Sequence, residues 1–158
     1  IPKTLPRIVT VGRLDLNSEG LLLLTNSGSF SRHLELPKNS FIREYKVKVR
    51  GKIGIEKLKN LKKGIIIKGI KYGAIEANIL KKSATNAWIK MRLIEGKNRE
   101  IRKIMNFFGW TVNKLKRISY GPIKLKNLKK NEIKEININK YFKKILWELF
   151  QENLEVKN

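Results

Sequence analysis

The chain has 158 residues, 41% of them hydrophobic, enough for one ordinary domain that buries roughly 70% of the surface its unfolded chain exposes. Lys and Arg number 36 against 13 acidic residues, and the resulting formal net charge of +23 calls for a polyanionic partner, because each cation that neutralises a phosphate releases a counterion. The absence of cysteine excludes disulfides and thiolate metal sites and points to a reducing cytoplasm, while a single histidine, His33, leaves no material for a histidine metal cage or a serine-histidine triad.

The chain opens at Ile1 rather than Met, which leads us to expect a fragment or processed product with sequence missing upstream. No signal-peptide pattern follows, and the apolar runs LLLL and GIIIKGI are too short to span a bilayer, so a soluble intracellular protein is expected. In VGRLDLNSEGLLLLTN, residues 11–26, an Arg-Leu-Asp triplet stands behind a glycine and just ahead of four leucines. The segment GLLLLTNSG reads as a buried strand entering an Asn-Ser-Gly turn, with Gly28 free to take a positive φ. SFSRHLELP reads as a short helix stopped by Pro37.

In REYKVKVRG, Tyr45, Val47 and Val49 share one face and Lys46, Lys48 and Arg50 the other, the pattern of a half-buried strand with a basic outer face. GIEKLKNLKKG sets Ile55, Leu58 and Leu61 at helical spacing and ends at Gly64. AWIKMRLIEG alternates again and hands over at Gly96 to KNREIRKIMNFFG. With Asn98 as N-cap, Ile101, Ile104, Met105 and Phe108 make one apolar stripe that Gly109 ends, and Arg99, Arg102, Lys103 and Asn106 occupy the opposite arc. Arg102 stands nearest the stripe, where it can reach into a cleft while its neighbours face phosphate. WTVNKLKRISYGPIKL reads as strand, Gly-Pro turn and strand. An amphipathic helix, with a core stripe of Ile138, Tyr141, Phe142, Ile145, Leu146, Leu149 and Phe150, closes the chain. Hairpins mixed with helices predict an α+β domain around a mainly antiparallel sheet.

EGKNRE contains a Gly-Lys pair without a preceding glycine-rich loop, so it is not a nucleotide-binding P-loop. The remaining candidates for chemistry are isolated carboxylates, tyrosines and arginines, with Asp15 foremost. No metal site is expected.

Four segments in order, GRLDLNSEGLLLLTN (12–26), REYKVKVRG (43–51), IEGKNREIRKIMNFFG (94–109) and VNKLKRISYGP (112–122), resemble the motifs of the pseudouridine synthases, and most closely the branch that modifies single uridines in bacterial ribosomal RNA. The resemblance implies the pseudouridine synthase fold, a long, curved, mixed but mainly antiparallel sheet with flanking helices and a central RNA-binding cleft. On that resemblance Asp15 is the catalytic aspartate and Tyr45 packs on the target base and takes part in proton transfer. Arg102, the second arginine of NREIR, pairs with Asp15. Arg13 contacts RNA near the displaced nucleotide, Leu115 lines the base pocket, and Lys97, Arg99, Lys103 and Arg117 are RNA-binding cations. Residues 1–158 then form a catalytic domain that lacks the family's upstream Asn-Lys-Pro-Gly strand and the small amino-terminal RNA-binding domain of many relatives. Ser27 and Glu100 depart from the Asp and Gln common in relatives, with effects expected on a turn or on RNA contacts.

Chemistry independent of the resemblance agrees with these roles. Converting uridine to pseudouridine breaks a carbon-nitrogen bond and rejoins the base through carbon with no net redox change, so no cofactor is required. An ionised carboxylate serves as nucleophile or stabilises an electron-deficient sugar, and a neighbouring arginine favours the charged form. The expected partner is ribosomal RNA or a pre-ribosomal particle, with no membrane, and the expected state is a cytoplasmic monomer. Large-subunit RNA is favoured by LPRIVTVGRLDLNSEG and YGAIEAN (72–78). The alternative is a non-catalytic RNA-binding or ribosome-assembly module, which an Asn or Ala at position 15 would have favoured.

Overall fold

The computed structural model describes residues 6–143 and 145–147. The first elements frame a loop. Strand β1 (Val9–Val11) pairs antiparallel with β3 (Leu23–Thr25), and between them the chain runs out through Asp15 and returns as the two-residue strand β2 (Glu19–Gly20). The leucine run is therefore divided, contrary to the single buried strand expected from it. Leu21 is buried between β2 and β3 while Leu22 is exposed, because Gly20 at φ 110° turns the chain from one sheet toward another.

Helix α1 (Gly28–Glu35) begins at the turn itself. The Ser27 hydroxyl accepts a hydrogen bond from the Phe30 amide at 3.2 Å, satisfying one of the amides left free at a helix start. Gly28 thus opens the helix instead of supplying the positive φ expected of it, and Pro37 follows the helix as expected, opening a 3-10 turn.

Strand β4 (Arg43–Arg50) shows the expected alternation, with Val47 and Val49 buried and Lys46 and Arg50 exposed. Helix α2 (Ile55–Asn60) tightens into a 3-10 turn ended by Gly64 at φ 76°. Leu58 and Leu61 are buried but Ile55 is 52% exposed, so the apolar stripe is shorter than its spacing suggested. A small hairpin of β5 (Ile65–Ile67) and β6 (Ile70–Tyr72) leads to β7 (Ile75–Lys82) and β8 (Asn86–Leu93), whose burial alternates residue by residue.

Helix α3 (Glu100–Phe107) buries Ile101, Ile104 and Met105 and ends at Gly109, φ 79°. Its N-cap is Arg99 in a left-handed conformation at φ 51°, not Asn98. No side chain caps this end; the Glu100 carboxylate instead accepts the amide of Lys97, in the loop before the helix, at 3.0 Å. Strand β9 (Thr111–Tyr120) and β10 (Ile123–Lys124) complete the strand, Gly-Pro turn and strand. Helical residues 139–143 and 145–147 place Phe142 against Phe30 with ring centroids 5.3 Å apart, as core; Leu149 and Phe150 lie outside the described residues.

The main sheet runs β10-β9-β4-β8-β7 with antiparallel neighbours, and β2 adds the one parallel pairing, Glu19 with Lys116 and Gly20 with Arg117. The sheet is therefore mixed but mainly antiparallel, in an α+β fold. One face carries α2 and α3 over a core that includes Val47, Ile89, Met91, Ile104 and Met105. A second core gathers Val11, Leu21, Phe30, Leu34, Tyr120 and Phe142 under α1. Among the described residues no helix is long and apolar enough to cross a membrane.

Where β2 meets β9 the two backbones touch. A Cβ built on Gly20 would lie 2.2 Å from the Arg117 carbonyl oxygen, at a φ that side chains rarely adopt. Gly20→Ala should therefore unpair β2 from β9 and lower stability by roughly 3 kcal/mol, which chemical denaturation would read as a lower midpoint at unchanged slope.

Candidate active site

The boundary between the two cores is polar. Arg43 at the head of β4 is 6% exposed and spends its guanidinium on oxygens of three segments: the carbonyls of Ile94 and of Glu35 (3.1 Å) and the Tyr120 hydroxyl (2.7 Å). Tyr120 in turn donates to the Leu34 carbonyl at 2.8 Å. These bonds join β4, β9, α1 and the end of β8 around one wall of a cleft of about 550 Å³. Burial raises the Tyr120 hydroxyl above its ordinary range, opposed by the donated Arg43 hydrogen bond, so it remains a neutral donor.

The opposite wall is the Asp15 loop. Gly12, Arg13, Leu14, Asp15 and Ser18 all border the cleft, and the Ser18 amide closes a turn on the Asp15 carbonyl at 2.8 Å. Leu16, next to Asp15, is fully exposed, while Asp15 is half-buried and borders the cleft. Two anchors hold the loop. Leu21 N–H donates to the Arg117 carbonyl at 2.8 Å while Arg117 Nε donates back to the Leu21 carbonyl at 2.7 Å. Arg102 Nη2 donates to the Asn17 carbonyl at 2.5 Å, and its Nη1 reaches the Val112 carbonyl at 3.1 Å.

Tyr45 and Leu115 form the floor. Tyr45 lies opposite Arg117 on β9 and Met91 on β8, and Leu115 lies opposite Val47 two pairs along, so strand alternation turns both toward the cleft. Lys97 and Arg99, exposed at the head of α3, line the rim with Arg13. Lys103 is exposed on α3 and stands outside the cleft wall.

One sequence expectation changes here, and a second acquires its geometry. Arg102 makes no ion pair with Asp15 within 4.0 Å; its side chain crosses behind the loop to main-chain carbonyls. Asp15 acts on it through space: burial and nearby Arg99 pull the guanidinium below its ordinary value, and Asp15 pushes it back up. Arg117, expected as an RNA-binding cation, borders the cleft from within. Alternation along β9 turns it inward, where it is 2% exposed and 5.2 Å from the Tyr120 ring centroid.

Sequence reasoning passed over Arg43, and expected of Glu100 only an effect on a turn or on RNA contacts. Arg43 sits two residues before Tyr45, so strand parity already placed it on the inner face. Glu100 adjoins the buried Ile101 and Ile104 stripe and is 4% exposed, with one carboxylate oxygen unpartnered. Ser18 Oγ and Arg117 Nη2 are also buried without partners, and all three residues border the cleft. Buried polar atoms are seldom left unpaired, so a cleft collecting donors and an acceptor in this way is shaped for a polar guest.

Burial lifts the Glu100 carboxyl from the usual 4.5 to about 7; the Lys97 amide bond opposes the shift and Glu95 adds to it. The folded chain then keeps a proton that the unfolded chain releases near pH 4.5, so the stability it contributes is full below that pH and is lost as pH rises toward 7. Thermal melts from pH 5 to 8 should show this decline, on the order of 3 kcal/mol at its end. Glu100→Gln keeps an oxygen to accept the Lys97 amide and should remove the decline; an unchanged pH profile in the variant would refute the assignment.

Comparisons with known proteins bear on the family and the fold. The RNA pseudouridylate synthase family matches residues 2–107. A protein of Rickettsia felis named as an RNA pseudouridine synthase is 51% identical over 140 residues, covering 89% of this chain and 60% of that protein. The ribosomal large subunit pseudouridine synthase B of Buchnera aphidicola from Schizaphis graminum is 40% identical, covering 100% of this chain and 62% of its own. The chain thus spans about three fifths of the length of the curated relatives it matches. Its fold is that of a crystal structure of a pseudouridylate synthase, with TM-score 0.76 at 23% identity over 84% of this chain and 57% of that one. A structure of the archaeal box H/ACA Nop10-Cbf5 complex matches at TM-score 0.58 and 18% identity, over 78% of this chain and 41% of that one. With the family match running through the Asp15 loop, β4 and α3, the chain belongs to the RNA pseudouridylate synthase family.

Proposed function

We propose that this chain carries the catalytic cleft of a ribosomal RNA pseudouridine synthase, acting on a uridine of large-subunit RNA. The observation that carries the reading is the convergence of Asp15, Tyr45 and Leu115, from three separate segments, on one cleft in a chain of this family. The large-subunit preference rests on the name of the Buchnera aphidicola relative.

The reaction is an isomerisation. The N1–C1′ bond of the nucleotide breaks, the base turns, C5 bonds to C1′, and the proton lost from C5 is balanced by one gained at N1. A flipped uridine costs a few kcal/mol to unstack, which the Tyr45 ring offsets by stacking on the base over the Leu115 floor. Asp15 meets the nucleotide from the opposite wall as nucleophile. Uracil presents two carbonyl acceptors and one N–H donor along its edge, matching the unpartnered Arg117 Nη2, Ser18 Oγ and Glu100 carboxylate oxygen. Arg13, Lys97 and Arg99 at the rim, with Lys103 beyond it, hold phosphates, which positions the strand without reading its sequence. Arg102 is a positioning residue: by gripping Asn17 it keeps the Asp15 turn in place.

The chain, in the longest natural polypeptide that contains it, should release tritium from carbon-5-labelled uridine in a ribosomal RNA fragment. Asp15→Asn should abolish release while leaving RNA affinity intact. RNA binding without release by the unaltered protein would leave a binding module in place of an enzyme. Tyr45→Phe should retain binding and lose turnover if the hydroxyl moves a proton. Arg102→Met should lower kcat on the order of a hundredfold with little change in KM, as expected when a reacting group shifts by about 1 Å. Wild-type kcat in that variant would remove Arg102 from the mechanism.

A further inference from the structure

The face of the sheet opposite the cleft carries a second concentration of charge that the reaction does not use. Strand alternation turns Lys46 and Lys48 of β4 away from the core, and the registers set them beside cations of the neighbouring strands. Lys46 lies opposite Lys116 on β9 and Lys90 on β8; Lys48 lies opposite Lys114 on β9 and Trp88 on β8. Like charges directly opposite in adjacent strands repel and destabilise a sheet. Glu44 relieves Lys90 at 3.2 Å. Among the described residues Lys46, Lys48, Lys114 and Lys116 make no ion pair within 4.0 Å.

These cations also share a shape. Lys46, Lys114, Lys116 and Lys126 line a shallow groove of about 370 Å³ with Trp88, and Glu19 is the one carboxylate on its wall. The Lys46 ammonium sits 4.9 Å from the centre of the Trp88 ring, which holds it at the groove in place of a carboxylate partner. A single phosphate needs one or two of these lysines. Two cross-strand rows of lysines, one over three strands and one over two, match the repeated phosphates of a polyanion.

We propose that this groove is a second RNA-docking surface, which binds the phosphate backbone of a ribosomal RNA helix flanking the target stem-loop while the target uridine occupies the cleft on the other face. The proposal rests on the pseudouridine synthase reading, because the same RNA must reach both faces. It also accounts for the unrelieved lysine rows: repulsion within the free sheet is compensated when phosphates lie across it.

The test compares two RNAs and two variants in the protein that carries the chain. One RNA is a minimal stem-loop holding the target uridine; the other is the same stem-loop within a longer ribosomal fragment. The first variant changes Lys46, Lys48, Lys114 and Lys116 to Gln. The second changes Lys57, Lys59, Lys62 and Lys63, on α2 and the turn after it beneath the opposite face, and so removes equal charge elsewhere. The back-face variant should bind the longer fragment on the order of tenfold more weakly, with the slope of log affinity against log salt reduced by about 3. It should form pseudouridine in the minimal stem-loop at the wild-type rate and melt at a higher temperature than wild type, since the repulsion is gone. Equal weakening by the two variants, or an unchanged salt slope in a folded back-face variant, would overturn the proposal. Failure of the unaltered protein to modify the stem-loop would instead strike the function proposed for the cleft.

Discussion

The docking of a short loop onto the edge of β9 is the constraint on which the rest of the site depends. Arg117 gives its main-chain carbonyl to the Leu21 amide and its Nε–H to the Leu21 carbonyl, at 2.8 and 2.7 Å, and Gly20 lets the two backbones approach with no Cβ between them. A two-residue parallel pairing is too short to persist by itself. It is held by a buried guanidinium that cannot find water elsewhere, so undocking would expose Leu21 and leave a buried charge without its acceptor. Asp15 is rigid because its return strand is tied down, and Arg102 fixes the outgoing half of the loop at Asn17.

The same logic recurs on the other wall. Arg43 is buried without a carboxylate partner and is neutralised piecemeal by carbonyl and hydroxyl oxygens from β9, α1 and the end of β8. Charge-assisted bonds are short and directional, and those to Ile94 and Tyr120 join elements far apart in sequence. The two hydrophobic cores supply most of the burial; the arginines between them decide how the cores are set relative to each other. A cleft at such a polar boundary can hold charged groups close to apolar floor residues, which is what a flipped base and a reacting carboxylate both require.

Charge is distributed unevenly between the two faces of the sheet. At the cleft, cations sit at the rim and the buried arginines are committed to the fold. On the back, Lys46, Lys48, Lys114 and Lys116 stand in register with no ion-pair partner within 4.0 Å among the described residues. The excess of +23 therefore cannot be read as one uniform coat. Strand periodicity sorts it, because every second residue of β4, β8 and β9 is compelled to the outer face once its neighbours form the core.

Much of this was legible in the sequence. Alternation in REYKVKVRG and AWIKMRLIEG determined which residues of β4 and β8 point inward, and the helical stripe of Ile101, Ile104 and Met105 determined the buried face of α3. The ordered motifs named Asp15, Tyr45 and Leu115, and all three border one cleft. Periodicity and motifs are local patterns, so they survive without knowledge of neighbours. What the tertiary structure decided is non-local. That the leucine run divides between two sheets depends on β9, about a hundred residues on, offering an edge to Gly20. That the Glu100 carboxylate turns back to the Lys97 amide, that Arg102 grips Asn17 instead of Asp15, and that Arg117 turns inward to hold Leu21 follow from which carbonyls and amides packing leaves unpaired. A long polar side chain reaches several ångströms in any direction, and only the assembled fold determines which unsatisfied group lies within that reach.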